Sequence, residues 1–451
     1  MNPGLIVKLR PTGPWRIGPD SGARNRVDAI YHSDSLYSAV AQAMSRLGVL
    51  EEWLDATARA ATRVVCFSSC FPMVNETLFV TPPRTVWPPG AASLTSARVR
   101  WKSARFVPLN IVRDILAAKA LDENRWMLDG PSGCLMPSGK PGPYRTSLRW
   151  NAAIDRLSGA AERHSAACLE FRPGAGLWTV VSFADGATRD QWQDRVKAAF
   201  RWLADSGFGG ERSRGWGRSE APEFVEGSLP EMIIGSASRS QELGVGGQGS
   251  GPDVIPPLQE PPVEEPPITE PPSENPDVNP PEPSPDPELP PADPEPALAI
   301  AFSIEEIAAP SPDVQPLAQT TVSSPDPRPL TPDPQLRAPD PQFLTPDPQL
   351  RAPSSGSSSR GQWLLSLFSP SAADTVEWSR GNYSLVERGG RVESSAGSGA
   401  LKKQVQMVAE GSVLFAGGEL FGSAPDVAPE GFAHPVFRAG FALAIPLPEV
   451  S

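Results

Sequence analysis

The sequence is poor in cysteine and histidine, with four Cys and three His among 451 residues. So few cysteines exclude a disulfide framework, and so few histidines argue against a zinc site. Cys66 and Cys70 have C-x3-C spacing, but Cys134 and Cys168 stand alone. We therefore predict four buried free thiols in a reducing cytoplasm, with no metal and no cofactor.

Long apolar runs are also missing. No stretch approaches the ~18–20 residues that a helix needs to cross a bilayer, which argues against an integral membrane protein. Residues 1–10 alternate apolar and basic side chains and lack the continuous apolar centre of a signal peptide. The opening residues therefore predict a β-strand in a cytoplasmic protein.

Proline is abundant, and 32 of its 55 occurrences fall within residues 251–353. This stretch has no Trp and carries 19 Asp and Glu against three Arg, so the chain's net charge of −12 leaves +4 on the other residues. The nonapeptide TPDPQLRAP occurs at 331–339 and again at 345–353. Such a composition buries too little apolar surface to offset ordering entropy, and it predicts a disordered spacer of polyproline-II character. A tract that recruits a partner, for example an SH3-type domain at its PxxP spacings, is the alternative.

Three segments follow from these patterns: 1–228, an insertion at 229–360, and 361–451. In the first, the order strand, helix, strand, strand, helix, strand predicts a split βαβ, ferredoxin-like sandwich. The last segment returns to apolar alternation with few helices. We expect it to complete a second sandwich that begins before the insertion.

Local patterns predict individual elements. Leu36, Val40 and Met44 have helical spacing after the polar residues Ser33 and Asp34, which we expect to cap the helix. Further patterns predict helices over 109–120 and from Trp192 to Ser206, and two hairpins, one joining 168–171 to 177–183 and one over 383–393 with a Gly-Gly turn.

The most informative stretch is Gly207–Arg218, with the sequence GFGGERSRGWGR. Its five glycines allow close backbone approach to a ligand, and Arg212, Arg214 and Arg218 supply forked donors for phosphate oxygens. Trp216 offers a face on which a base can stack. The stretch is neither a Walker A motif nor a dinucleotide-binding fingerprint. It predicts a loop that binds an RNA backbone, with a Gly-rich surface loop as the simpler alternative.

A second basic stretch places Arg98, Arg100 and Lys102 on one face of a predicted strand, followed by Arg105. Either an anion binds this face or the charges protect a solvated edge strand. The sequence leaves both interpretations open. Further basic side chains in the last segment are Arg391, Lys402 and Lys403.

His32 precedes the first predicted helix within Tyr31-His32-Ser33-Asp34. It could act as a general base, hold a phosphate at the positive end of the helix, or be a structural histidine. The sequence decides none of these, and no second histidine lies nearby.

Together these motifs resemble the RAMP superfamily of CRISPR proteins, and their order is similar to the family of the fourth subunit in the type III-A (Csm) interference complex. The Gly-rich loop alone is typical of RAMPs in general, whereas the ordered set is much more specific. The stretches that carry the resemblance are 31–39, 102–108, 153–157, 207–218, 382–391 and 431–435.

The resemblance implies an α+β fold with two ferredoxin-like (RRM-like) domains. Residues 1–228 would hold the first RAMP domain and the start of the second, and residues 361–451 the remainder. The long disordered Pro-rich insertion departs from the family pattern. The implied function is a non-catalytic CRISPR RNA-binding subunit that holds the 5′ handle of the guide in antiviral defence. Its implied protein partners are the large polymerase/cyclase-type subunit and the backbone RAMP subunits.

The resemblance and the basic character of the chain give one set of expected RNA contacts. The expected contacts are His32, Lys102, Arg105, Gly209, Gly210, Arg212, Ser213, Arg214, Gly215, Trp216, Gly217, Arg218, Arg391, Lys402 and Lys403.

The enzymatic alternative is a metal-independent CRISPR repeat endoribonuclease with His32 as general base and Lys102 or Arg214 stabilising the charged transition state.

Overall fold

The computed structural model describes residues 2–19, 22–60, 63–89, 101–235, 359–394 and 397–448. All of them belong to one unit that combines residues 1–243 with residues 353–451. No helix in this described part is long and apolar enough to cross a membrane. Most of the predicted insertion lies outside the described residues, and so do Arg98 and Arg100 of the second basic stretch.

The helices follow the predicted apolar spacing. Leu36, Val40 and Met44 are buried on the first long helix, and Trp192 and the apolar residues after it are buried on the longest. The third helix ends at Leu116 rather than at Ala120. The helices are α1 (Ser33–Arg46), α2 (Leu50–Ala56), α3 (Leu109–Leu116), α4 (Gly186–Ser206) and α5 (Glu231–Ile234).

The largest sheet is antiparallel and has the strand order β11-β1-β10-β3-β4-β5, with β2 also paired to β10. Its central strand β10 is buried at all nine positions, so both faces of the sheet are covered. Helix α1 follows β1, and α4 connects β10 to β11. The strands are β1 (Asn2–Leu9), β2 (Val65–Phe67), β3 (Phe71–Val74), β4 (Thr77–Val80), β5 (Val107–Pro108), β10 (Ala175–Phe183) and β11 (Glu223–Leu229).

Two hairpins lie beside this sheet. One pairs β6 (Trp126–Asp129) with β7 (Cys134–Pro137), and the longer pairs β8 (Tyr144–Ile154) with β9 (Ala161–Phe171) over eleven residue pairs. The predicted hairpin between 168–171 and 177–183 is therefore wrong. The strand at 168–171 is the end of β9 and pairs with β8, whereas β10 takes its partners from the large sheet.

The C-terminal segment is built from short strands, without an α-helix in its described residues. The predicted Gly-Gly hairpin over 383–393 is wrong, because β13 pairs with β16 and β14 pairs with β15. The central sheet has the order β17-β12-β20. The strands are β12 (Arg360–Leu364), β13 (Leu385–Arg388), β14 (Arg391–Ser394), β15 (Gly397–Leu401), β16 (Val405–Val408), β17 (Val413–Ala416), β18 (Gly422–Ser423), β19 (Gly440–Phe441) and β20 (Ala444–Pro446).

The C-terminal segment shares one apolar core with the N-terminal sheet. Trp363 and Phe441 belong to the same buried cluster as residues of β1, α1 and β10. The indole of Trp363 donates a hydrogen bond to the Thr81 carbonyl at 3.1 Å, and Phe441 meets Tyr37 edge-on. The α+β class is confirmed. The pair of ferredoxin-like domains, the domain boundaries and the disordered insertion stay predictions.

The prediction of four buried free thiols is confirmed. Cys66, Cys70, Cys134 and Cys168 are all free and buried. Burial raises the pKa of each thiol, which keeps the four side chains protonated at neutral pH.

Candidate functional site

A cleft of about 1300 Å³ opens between the N-terminal residues and the C-terminal segment. One wall consists of α1 and the start of the Gly-rich loop, and the other consists of residues 387–391 with Lys402 and Phe437. We call this space the central cleft. A separate pocket of about 400 Å³ lies among residues of β4, β7 and the loop at 140–143.

The central cleft is strongly basic. Among the described residues that line it, six Arg and Lys side chains face two carboxylates, Asp34 and Glu387. A cleft lined mainly by one sign of charge concentrates the field and attracts ligands of opposite charge. The six cations are Arg16, Arg212, Arg388, Arg391, Lys402 and Arg438.

The structure brings six of the fifteen expected RNA contacts to this cleft and leaves nine outside its lining. The six come from three stretches that are far apart in sequence. They are His32, Gly209, Gly210, Arg212, Arg391 and Lys402. The other nine are Lys102, Arg105, Ser213, Arg214, Gly215, Trp216, Gly217, Arg218 and Lys403.

The Gly-rich loop packs closely on neighbouring backbone. The amide of Gly210 donates to the Arg16 carbonyl at 2.9 Å, and Phe208 N donates to the Gly217 carbonyl at 3.0 Å. Gly209 and Gly217 both have positive φ, and a Cβ on Gly217 would lie 2.0 Å from the Phe208 carbonyl oxygen. Part of the glycine content therefore serves the loop's own packing, rather than the close approach to a ligand that the sequence suggested.

The three loop arginines point to different places. Arg212 lines the central cleft and donates from Nη1 to Oε1 of Gln42 on α1 at 3.2 Å. Arg214 lies 3.3 Å from a carboxylate oxygen of Glu211, away from the cleft lining. Arg218 is exposed. The sequence pattern could not separate these arginines, because it does not show that Arg212 and Arg214 share a 3-10 turn whereas Arg218 lies beyond it.

The stacking residue is also placed differently from the expectation. Trp216 is half-buried outside the cleft lining, whereas Phe437 is a half-buried ring that lines the cleft. An isolated Phe in the C-terminal segment carried no sequence signal for this position.

His32 is buried between two carboxylates. Its Nδ1 lies 2.7 Å from Oε1 of Glu410, and its Nε2 lies 3.3 Å from Oδ2 of Asp28. Burial alone would lower the pKa of the imidazole, but the charge of Glu410 and the hydrogen bonds to both carboxylates outweigh it and raise the pKa to about 9. His32 is therefore a cation at neutral pH with both ring nitrogens occupied.

Both carboxylate oxygens of Asp34 also accept hydrogen bonds from charged partners. Its carboxylate accepts from Nε and Nη2 of Arg388 at 3.0 and 2.9 Å, and it also accepts from Nη1 of Arg438. Burial would raise the pKa of Asp34, but the two guanidinium groups and the hydrogen bonds hold it well below its usual range. Asp34 thus ties the start of α1 to two cations of the C-terminal segment.

The predicted helix-capping role of Ser33 and Asp34 is wrong. His32 occupies the N-cap position, and its side chain makes no capping hydrogen bond. The Ser33 hydroxyl instead accepts the backbone N–H of Leu367 at 3.0 Å. These polar residues bind a segment more than 300 residues away, which the local sequence could not reveal.

The second basic stretch lies apart from the cleft lining. Arg105 pairs with Asp28 at 2.8 Å, and Lys102 is exposed. Trp101 and Lys102 are helical rather than extended, and the Trp101 ring is buried in a stack with Trp87. The predicted strand is wrong for these two residues.

Sequence reasoning missed several cleft residues. Ser38 and Gln42 follow Ser35 at helical spacing, so they share one face of α1 opposite the buried apolar face. Reading the polar face of that helix would have found them. Arg16 and Arg438 gave no such signal, because the chain brings them to the cleft only through tertiary contacts.

Metal-binding groups are not part of this site. Among the described residues, no group of three or more His, Cys, Asp or Glu side chains could hold a metal ion. The chemistry that the cleft offers is therefore the recognition of anionic and hydrogen-bonding ligands by guanidinium, ammonium, hydroxyl and amide groups.

Comparisons with known proteins agree with this architecture. Residues 357–447 match the model of the CRISPR Csm4 C-terminal domain. A chain in the crystal structure of a Csm3-Csm4 subcomplex of the type III-A CRISPR-Cas interference complex is similar over 100% of both chains, with 11% identity and a TM-score of 0.50. A chain in a Csm1-Csm4 cassette with cA4 covers 100% of this chain and 99% of its own, with 14% identity and a TM-score of 0.45. None of the curated proteins matches. At 11% identity, the likeness to the Csm3-Csm4 chain concerns the fold.

Proposed function

We propose that the protein binds CRISPR RNA as a RAMP subunit of a type III-A complex. The match of residues 357–447 to the CRISPR Csm4 C-terminal domain supports this proposal. In this proposal the central cleft holds the 5′ handle of the guide, and the subunit has no catalytic step of its own. It serves antiviral defence as part of a Csm complex.

The observation that carries the proposal is the position of the basic cleft. The Gly-rich loop, α1 and residues within the Csm4 C-terminal domain meet there. Single-stranded RNA is held by cations along its backbone and by polar and aromatic groups at its bases. The central cleft offers both kinds of group over a space large enough for several nucleotides.

Three cations are the best candidates for the phosphates. Arg212, Arg391 and Lys402 are half-buried or exposed and line the cleft from two opposite walls. Arg16 has a structural role instead, because its guanidinium donates hydrogen bonds to the backbone carbonyls of Arg24 and Ala167. Arg388 and Arg438 are held by Asp34, as described above, and support the wall.

The state of His32 supports a non-catalytic role. A general base must accept a proton, and a histidine with a raised pKa and two carboxylate partners is already protonated at neutral pH. We propose that His32 supports the architecture of the cleft rather than contacting RNA.

The competing endoribonuclease hypothesis has a direct test. Purified protein is incubated with repeat RNA without metal, and the products are compared with those of the His32→Ala variant. We expect no cleavage by either protein. Cleavage by the wild type that His32→Ala abolishes would contradict the non-catalytic proposal.

The proposed protein partners come from the Csm complex. The likeness in fold to a chain of the Csm3-Csm4 subcomplex supports a backbone RAMP subunit as a neighbour. Docking of the large polymerase/cyclase-type subunit is part of the same proposal. It predicts that both subunits co-purify with this protein from its host, together with guide RNA.

The domain organisation is proposed on the strand order of the large sheet. The order β11-β1-β10-β2, with α1 after β1 and α4 after β10, is that of a ferredoxin-like domain. We propose that it is the first RAMP domain. The start of a second such domain before the insertion, and its completion in the C-terminal segment, belong to the same proposal.

The handle-binding proposal is tested with two labelled RNAs of equal length. One carries the repeat-derived 5′ handle of the host's guide, and the other carries a scrambled handle. We expect tighter binding of the native handle by the purified protein or by its subcomplex. Equal affinities for both RNAs would overturn handle recognition.

A further inference from the structure

Three polar side chains lie on the cleft face of α1. Ser35, Ser38 and Gln42 occupy positions i, i+3 and i+7, so all three lie on one side of the helix. All three line the central cleft and are half-buried. Ser38 and Gln42 are about 6 Å apart along the helix axis.

The orientation of the Gln42 amide is fixed by its neighbour. Arg212 has only hydrogen-bond donors, so the Gln42 atom 3.2 Å from its Nη1 must be the amide oxygen. The amide nitrogen of Gln42 then points away from Arg212. The amide oxygen keeps a second lone pair, so the side chain can still accept one hydrogen bond and donate another.

We propose that Gln42, with Ser38 beside it, is a specificity-determining residue that reads one adenine base in the cleft. This inference rests on the proposed RNA-binding function and deepens it. An amide that offers an acceptor next to a donor matches the 6-amino group and a ring nitrogen of adenine. Guanine would place its O6 acceptor against the Gln42 oxygen, which is repulsive.

In this arrangement Arg212 both binds a phosphate and orients the Gln42 amide. Its charge serves a phosphate, and its hydrogen bond holds the Gln42 amide in the orientation that selects adenine. Phe437 on the opposite wall offers an aromatic face for the same strand of bases. Affinity and base choice therefore come from different atoms of one site, and they can be separated by experiment.

The test uses the full-length protein, free of RNA, and two labelled eight-nucleotide RNAs. One is oligoadenosine, and in the other every adenine is replaced by purine, which lacks the 6-amino group. We expect the wild type to bind oligoadenosine about 5- to 150-fold more tightly, the range for one good bidentate base contact. Binding is followed by fluorescence anisotropy at several salt concentrations.

The variant Gln42→Met keeps side-chain length and helix propensity but removes both hydrogen bonds. We expect it to abolish the preference for adenine while the salt dependence of binding stays unchanged. Gln42→Glu keeps an acceptor for the 6-amino group but loses the donor to the ring nitrogen and adds a negative charge, so it should weaken binding of both RNAs and keep the preference for adenine. Gln193→Met on α4, whose amide bonds Glu226 outside the cleft lining, is the matched control and should keep it.

The outcomes separate the two claims. A wild type that binds both RNAs equally, or a Gln42→Met variant that weakens both by the same factor, overturns the base-reading role and leaves RNA binding standing. A wild type that binds neither RNA overturns the proposed function and this inference together.

Discussion

The Nδ1 atom of His32 lies 2.7 Å from the Oε1 atom of Glu410, a residue 378 positions later in the chain. Both side chains are buried, and Asp34 makes a second such link to Arg388 and Arg438. The residues at the start of α1 thus bind the N-terminal part of the chain to the C-terminal segment. They form one wall of the central cleft through these contacts.

The first prediction concerns pH. Because the folded-state pKa of His32 is about 9 and the unfolded value is near 6.5, its contribution to stability is complete below pH 6.5 and is lost as the pH rises toward 9. Between pH 6.5 and 8.5 we expect the free energy of unfolding to fall by about 2–3 kcal/mol. Urea denaturation at several pH values measures this.

Two variants isolate that effect. His32→Gln should be less stable at pH 6.5 and should show a flatter pH profile up to 8.5. His164→Gln, at a half-buried position on β9, should keep the wild-type profile. The window stops at 8.5 because the buried thiols, whose pKa values are also raised, contribute at higher pH. Parallel profiles for His32→Gln and the wild type would contradict the ion-pair account.

The second prediction concerns Asp34. Asp34→Asn keeps the shape of the side chain but leaves Arg388 and Arg438 without their buried counter-charge. Removing one partner of a buried ion pair costs about 3–5 kcal/mol. Asp190→Asn breaks an exposed pair with Arg189 and should cost less than about 1 kcal/mol. Equal losses in chemical denaturation would refute the supporting role of Asp34.

The sequence predicted those parts of the fold that depend on local periodicity. The apolar spacing of α1 and α4 correctly predicted their buried faces, since a helix repeats every 3.6 residues whatever it packs against. Local periodicity does not predict which strands pair with each other. The strand at 168–171 pairs with the preceding strand β8 rather than with the following strand β10, and β10 takes its partners β1, β2 and β3 from the large sheet.

The candidate site was also predictable only in part, because its residues come together through contacts between distant segments. The Gly-rich loop indicated a binding site by composition, but only the fold shows that Arg212 faces the cleft and Arg214 does not. Asp28 is a local partner of His32, but Glu410 and the two arginines that bind Asp34 come from the far end of the chain. No local pattern around residue 32 encodes Glu410 or Arg438.

The third prediction concerns the Gly-rich loop. A Cβ on Gly217 would meet the Phe208 carbonyl at 2.0 Å, whereas a Cβ on Gly215 has no atom within 4 Å, although both residues have positive φ. Gly215→Ala should therefore cost only the left-handed conformation, about 1–2 kcal/mol. Gly217→Ala should cost clearly more and should weaken RNA binding as the loop shifts. Equal unfolding midpoints for the two variants would contradict the packing described here.

The fourth prediction concerns the acidic Pro-rich tract. We expect a variant lacking residues 251–353 to fold, to assemble with its partners and to bind RNA, because the candidate contacts lie in the rest of the chain. Screening at physiological salt limits the reach of the tract's charge to about 8 Å. Co-purification and RNA binding measure the outcome. Loss of assembly would show that the tract recruits a partner.

The central claim is that guide RNA lies in the central cleft. Its most direct test compares two triple alanine variants that remove the same charge, Arg212/Arg391/Lys402 within the cleft lining and Lys102/Arg214/Arg218 outside it. The measurement is the affinity for handle RNA as a function of salt. We predict that the first variant binds at least 100-fold more weakly with a log–log salt slope reduced by about 2, while the second stays close to the wild type. Equal effects of the two variants, or a larger effect of the second, would contradict the account.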